Sequence, residues 1–216
     1  MAASQEVERP GAQKWVPKWA DLDALRAAAP RCRGCELWEP ATQVVFSSGP
    51  ADARVVLVGE QPGVQEDRQG EPFVGPAGRI LDRAIDESGL DRRTVYLTNA
   101  VKHFRFRQAG PGRRRIHEKP GTAHIVACRP WLDAELDLID PDITVALGAT
   151  AARAIIGPGF RVTKERGKLL EVAGGDGPRA VVATVHPSSV LRARDDRDEA
   201  FAGLVADLAV VAAALG

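Results

Sequence analysis

Four runs of apolar, largely β-branched residues constrain this chain more than any other feature: RVVLVG at Arg54–Gly59, VYLTNAV at Val95–Val101, ITVAL at Ile143–Leu147 and AVVATV at Ala180–Val185. None alternates polar with apolar residues, so each asks to be covered on both faces, as a strand inside a parallel sheet is. Between them, GRILDRAIDESGL places Ile80, Leu81, Ala84 and Ile85 at helical spacing. Further helices are expected from about Thr122 to Ile139, from Ala149 to Ile156 and, amphipathic, from roughly Asp198 to Leu215. Strands that alternate with helices define an α/β chain, a three-layer α/β/α sandwich around a central four-stranded parallel sheet. Val44 to Phe46 is expected as a short additional strand, and Arg161 to Val172 as an irregular strand pair.

The chain has 216 residues, enough for one domain with a full core. Residues 1–20 are polar and broken by prolines apart from Trp15, Val16 and Trp19, and read as a flexible tail that docks through its tryptophans. The domain then runs over 21–216, beginning with Asp21 as the cap of a short helix that Pro30 ends. No apolar run is long enough to span a bilayer and the N-terminus lacks the pattern of a signal peptide, so a cytoplasmic protein is expected.

Three of the four strands end in a polar motif: GEQPG after the first, LTN in the second and HPSS after the fourth. In an open parallel sheet these ends lie along one edge, where ligands bind. Taken singly, each motif also reads as a capped turn. The second strand leads into KHFRFRQAGPGRRRIHEKP, Lys102–Pro120, whose seven basic residues and two histidines face the single carboxylate Glu118. Its glycines and prolines argue against a continuous helix or strand, and its charges against burial. Formal net charge is zero, 29 basic against 29 acidic residues, so a case for nucleic-acid binding rests on this local cluster.

Cys32 and Cys35 form a Cys-x-x-Cys pair and Cys128 stands alone, an odd count that fits a metal site better than a disulfide framework. Three thiols are one short of the usual four ligands, and a histidine would complete the set. Spacing alone does not choose between His103 and His124, nor between iron and zinc.

The stretches GEQPGVQEDRQGEPFVGPAGRILD, LTNAVKHFRF, RRRIH, ACRPWL, LGATAARAI and VATVHPSS together resemble the uracil-DNA glycosylase superfamily, from about Cys32 to the last helix. Within it they look most like the iron–sulfur branch, and there like the X-type enzymes that become covalently attached to the DNA they act on. The ordinary branch reads GEAPG at the first motif and carries a cysteine at the position of His103. Gln61, His103 and the RRRIH insertion are the departures that mark the X type.

The resemblance implies a four-iron, four-sulfur cluster on Cys32, Cys35, Cys128 and His103. It implies uracil-containing DNA, mainly single-stranded, as the substrate of a monomer. Gly59 would belong to the uracil pocket, Phe73 would stack on the flipped base and Asn99 would read its edge. His186 would donate to uracil O2 as charge develops there. Ser188 and Ser189 would hold a flanking phosphate, and Arg113, Arg114 and Arg115 would pin the loop to the backbone. His117 would attack the anomeric carbon, with Glu60 orienting its ring and accepting its proton and Gln61 positioning sugar or water. The alternatives are a conventional glycosylase that releases a free abasic site, and a non-catalytic metalloprotein that binds single strands.

Overall fold

The computed structural model describes residues 9–108, 110, 112–174 and 177–216. The four apolar runs become β2 (Val55–Gly59), β3 (Val95–Asn99), β6 (Ile143–Leu147) and the longer β8 (Pro178–Thr184). In chain order the other strands are β1 (Ser47–Ser48), β4 (Phe106–Gln108), β5 (Arg115–His117) and β7 (Leu169–Ala173). The helices are α1 (Leu22–Ala28), α2 (Val64–Gln69), α3 (Pro76–Glu87), α4 (Thr122–Ile139), α5 (Gly148–Ile155), α6 (Val162–Glu165), α7 (Pro187–Arg192) and α8 (Arg197–Leu215).

The sheet has six strands in the order β1-β3-β2-β6-β8-β7. Its inner four are parallel, as their composition requires, with Val55 opposite both Val95 and Ile143 and Thr144 opposite Val181. The expectation of four strands is corrected at both edges, where β1 and β7 pair antiparallel. β1 falls just after the stretch expected as a strand, and α6 replaces the first half of the expected strand pair. β7 alternates exposed with half-buried residues, the mark of an edge strand that the apolar-run criterion misses.

Period-two geometry sorts the inner strands onto two cores. Val56, Val58, Tyr96, Ala146 and Ala183 face one layer with α1, α4 and α5, whereas Val55, Leu57, Val95, Leu97, Val145, Leu147 and Val182 face the other with α3 and α8. Part of the segment expected as a tail is pinned: the Gly11 and Ala12 N–H groups donate to Gly34 and Ala127 carbonyls at 3.0 and 2.8 Å. Ala12 is buried and Trp15 packs on the core, while Trp19 is fully exposed. Among the described residues no helix is long and apolar enough to cross a membrane.

The basic segment is ordered differently from its expectation. β4 and β5 form an antiparallel hairpin with Phe106 opposite His117 and Gln108 opposite Arg115. Lys102, at its root, is fully buried, because Glu135 of α4 pairs with its ammonium. Tyr96 donates its hydroxyl to Glu135 at 2.9 Å and Thr98 donates to the same carboxylate at 3.0 Å, so this buried pair is hydrogen-bonded on several sides. A charge sums into a core only when so partnered, and the partner lies 33 residues away.

Candidate active site

The register that pairs Gly59 with Asn99 and Leu147 with Thr184 brings the polar motifs to one sheet edge. Gly59 is the floor: a Cβ there would lie 2.3 Å from Asn99 Oδ1 and 2.7 Å from Phe73 Cζ. Asn99 is buried, so its amide is presented in a fixed frame. Phe73 stands over that floor from a left-handed backbone (φ 60), a conformation that costs an ordinary residue roughly 1–2 kcal/mol. Gly78 of α3 permits it, since a Cβ there would meet the Phe73 carbonyl oxygen at 1.5 Å. Glu66 holds the loop from both ends, accepting from the Gly63 N–H at 3.0 Å and the Gly75 N–H at 2.8 Å.

His186 faces Phe73 with near-parallel rings, centroids 6.3 Å apart. Burial, with Arg192 and His117 adding to it, pushes its pKa down to about 4, so the ring is neutral near pH 7. Its Nδ1 accepts from the Ser188 N–H at 3.2 Å, and a backbone N–H only donates. The proton therefore resides on Nε2, leaving that nitrogen a donor for a ligand oxygen. Ser188 Oγ lies 2.9 Å from Nδ1 and accepts from Arg192 at 2.9 Å, while Ser189 Oγ donates to the His186 carbonyl at 2.7 Å.

Glu60 and Gln61, one residue apart, meet the hairpin. Thr150 of α5 donates to Glu60 Oε2, and Glu60 Oε1 lies 3.4 Å from His117 Nε2. Gln61 Oε1 accepts from the Arg105 N–H at 3.0 Å, which fixes the amide's orientation. Its nitrogen donates to the carbonyls of Arg105 (3.1 Å) and Glu118 (3.0 Å) and stands 2.9 Å from His117 Nε2. That ring nitrogen, half-exposed, thus stands between the Gln61 amide donor and the Glu60 carboxylate, which would accept a proton from it.

The three arginines of the hairpin separate. Arg113 and Arg114 are exposed and pair with no carboxylate among the described residues. Arg115 instead bonds the fully buried Asp67 of α2 at 2.5 Å and Thr42 at 2.9 Å, with its guanidinium 4.6 Å over the Phe106 ring. Expected as a phosphate ligand, it is committed to holding the hairpin on the body of the protein. Glu66, Asp67, Gly78 and Thr150 were not singled out by the motifs. The one local signal was Glu66, three residues after Gly63, where a carboxylate reaches back to the start of a helix.

On the far side of β3, Cys32, Cys35, Cys128 and His103 line one small cavity of about 10 Å³. The Lys102 N–H points at Cys128 Sγ, 3.3 Å away. Burial pushes the Cys35 thiol up to about 11 and Cys128 to about 12, and drives His103 down to about 4, leaving a neutral imidazole. His124 is outside the cavity. Its Nδ1 accepts from the Gly121 N–H at 3.0 Å and its Nε2 lies 2.9 Å from Glu36. Among the described residues no three such side chains close on a single ion.

An aromatic face, a fixed amide, a neutral imidazole donor and a carboxylate, gathered at the strand ends of a mostly parallel sheet, define an enzyme of the α/β class that takes a planar polar heterocycle. Residues 46–209 match the Uracil DNA glycosylase superfamily, and the chain belongs to that family. It is 40% identical over 176 residues to a type-4 uracil-DNA glycosylase of Thermotoga maritima, covering 81% of this chain and 85% of that one. A type-4 uracil-DNA glycosylase of Sulfurisphaera tokodaii is 36% identical over 79% of this chain and 76% of its own. A type-5 uracil-DNA glycosylase of Pyrobaculum aerophilum is 30% identical over 77% and 75%. The chain is accordingly a uracil-DNA glycosylase enzyme, as its motifs led one to expect.

Proposed function

We propose that this chain excises uracil from DNA and that His117 then bonds to the sugar left behind. The flipped base lies on Phe73, above Gly59, with its N3–H and O4 edge against the Asn99 amide. Its O2 receives the Nε2–H of His186. As the bond from C1′ to N1 breaks, uracil leaves with the electron pair and that neutral donor stabilises the anion. Glu60, 3.4 Å from the attacking nitrogen, is placed both to take a proton from the ring and to stabilise the cationic sugar.

The observation that carries the second step is His117 Nε2, half-exposed and 3.4 Å from Glu60. That nitrogen forms the bond to C1′ with its lone pair and the neutral ring's one proton passes to Glu60 or solvent, leaving a neutral substituted imidazole. The product is the protein itself on its DNA, and turnover is single. The type-4 relatives favour a second reading, in which water takes the place of His117 and a free abasic site is released. A denaturing gel of protein with uracil-containing single-stranded DNA separates the two. A heat-stable shifted band that His117→Ser removes supports capture; DNA that alkali cleaves at the uracil, with no band, supports release.

The donor set around the cavity fits a four-iron, four-sulfur cluster: three soft thiols and one neutral imidazole line it together, with the Lys102 N–H toward Cys128 sulfur. Bound there, the cluster would cross-link the Cys32–Cys35 turn, the root of the hairpin and α4. Visible absorbance and iron content of anaerobically purified protein test it.

A further inference from the structure

Beside the cluster cavity runs a groove of about 520 Å³ that neither the base pocket nor the cluster uses. His103 lines both cavity and groove, and Thr42 stands in the groove wall. Thr42 is the residue that accepts the Arg115 guanidinium at 2.9 Å, so the groove begins under the hairpin strand that carries His117 two residues on. Its character is set by Trp38, exposed, with the Arg33 guanidinium 4.0 Å from its ring centre, and by Arg26 opposite.

Arg33 is held in place by donating to the carbonyls of Pro30 at 3.1 Å and Cys32 at 2.8 Å. Arg26 donates to the Gly49 carbonyl at 3.1 Å and makes a loose contact of 3.4 Å with the well-exposed Asp23. Among the described residues lining the groove there are two arginines and no carboxylate. A guanidinium stacked over an exposed aromatic ring, with a second cation in the same groove, forms a platform for an unstacked base and its phosphates. An apolar ligand would leave the Arg33 guanidinium without counter-charge.

We infer that this groove seats the single strand flanking the uracil, with a base on Trp38 and phosphates on Arg26 and Arg33. The inference rests on uracil excision as the reaction. It adds a reason for strand choice, because a base paired in a duplex is not free to stack on Trp38.

The test uses full-length, cluster-loaded protein, Trp38→Ala and Arg26→Glu. The ligands are a uracil oligonucleotide of about 3 nucleotides, single strands of about 15 nucleotides with uracil or thymine, and the corresponding duplex. Each variant is expected to bind both long single strands about tenfold more weakly, the size of one lost base–aromatic stack. Affinity and excision on the short oligonucleotide, melting temperature and cluster absorbance are expected to stay as in wild type. Wild-type affinity of both variants for the long strands would overturn the inference. So would an equal loss on the short oligonucleotide or an equal loss on the duplex. Failure of the wild type to excise uracil from any substrate would instead sink the reading of function, and binding of the thymine strand would still judge the groove.

Discussion

The side-chain amide of Gln61 holds three parts of the hairpin at once: its oxygen takes the Arg105 N–H, and its nitrogen reaches the Glu118 carbonyl and stands 2.9 Å from His117 Nε2. Alanine at this position removes every one of those contacts and leaves the hairpin's inner edge unheld over the pocket. Phe73, Asn99 and His186 are untouched by the change. Gln61→Ala is therefore expected to slow adduct formation by about tenfold or more while base excision falls much less, since a displaced nucleophile is costly and a remote pocket is not. Single-turnover time courses scored separately for uracil release and for the shifted band measure the split, and an equal loss of both would contradict it.

Arg115 and Arg114 are neighbours in sequence with different expected phenotypes. Removing Arg115 leaves the fully buried Asp67 carboxylate with Thr42 as its remaining side-chain partner, a loss of about 3 kcal/mol by the usual cost of breaking a buried pair. In a chain of this size that is roughly 6–12 °C of Tm. Arg114→Ala is expected to leave Tm alone, weaken binding to all single strands and reduce the salt dependence of binding by about one phosphate contact. Thermal melts and a salt titration of affinity check the pair.

What the residues disclosed in advance follows from how local each signal is. The inner strands and the motifs at their ends were legible, because burial on both faces writes itself into a run such as VVLVG. The convergence of Gly59, Asn99 and His186 follows from parallel register, whereas Phe73 is brought over them by a loop that Glu66 and Gly78 hold. By contrast, Lys102 reads as surface charge until Glu135 is found beside it, and Arg115 reads as a phosphate ligand until Asp67 is. Both partners come from other elements, 33 and 48 residues away. The hairpin was hidden for a related reason. Its strands are three residues each and take their support from Gln61 rather than from an apolar pattern.

His186 gives a pH signature. Its ordinary value is 6.5 and burial lowers it to about 4 in the folded chain. The unfolded chain thus takes up a proton here near pH 6.5 while the folded chain stays neutral until about pH 4. This residue's contribution to stability is fully present above pH 6.5 and is lost as pH falls from there toward 4. Nitrogen chemical shifts of His186 are expected to keep the Nε2–H tautomer from about pH 8 to about pH 5, where an ordinary histidine would have titrated. A midpoint near 6.5 would show that burial does not hold the ring neutral, and one well above pH 7 would make the donor to uracil O2 cationic and sink the assignment of a neutral donor.

Gly59 supplies the most exacting test of the pocket, because the change is a single methyl group in the most rigid part of the sheet. A Cβ would enter the space held by Asn99 Oδ1 at 2.3 Å and the Phe73 ring at 2.7 Å. Neither neighbour yields easily. Asn99 is buried at the end of β3, and Phe73 is fixed by its left-handed backbone against Gly78. The methyl group therefore tilts the amide, the ring or both, and each displacement misplaces the base relative to His186. Gly59→Ala is expected to fold with an unchanged circular dichroism spectrum and to lose at least about a hundredfold in excision rate, the cost of an ångström-scale error at a reacting centre. Adduct yield is expected to fall with it, since His117 has no cationic sugar to capture until the base has left. A Gly59→Ala enzyme that still captured DNA at the wild-type rate would place the base somewhere other than over Gly59.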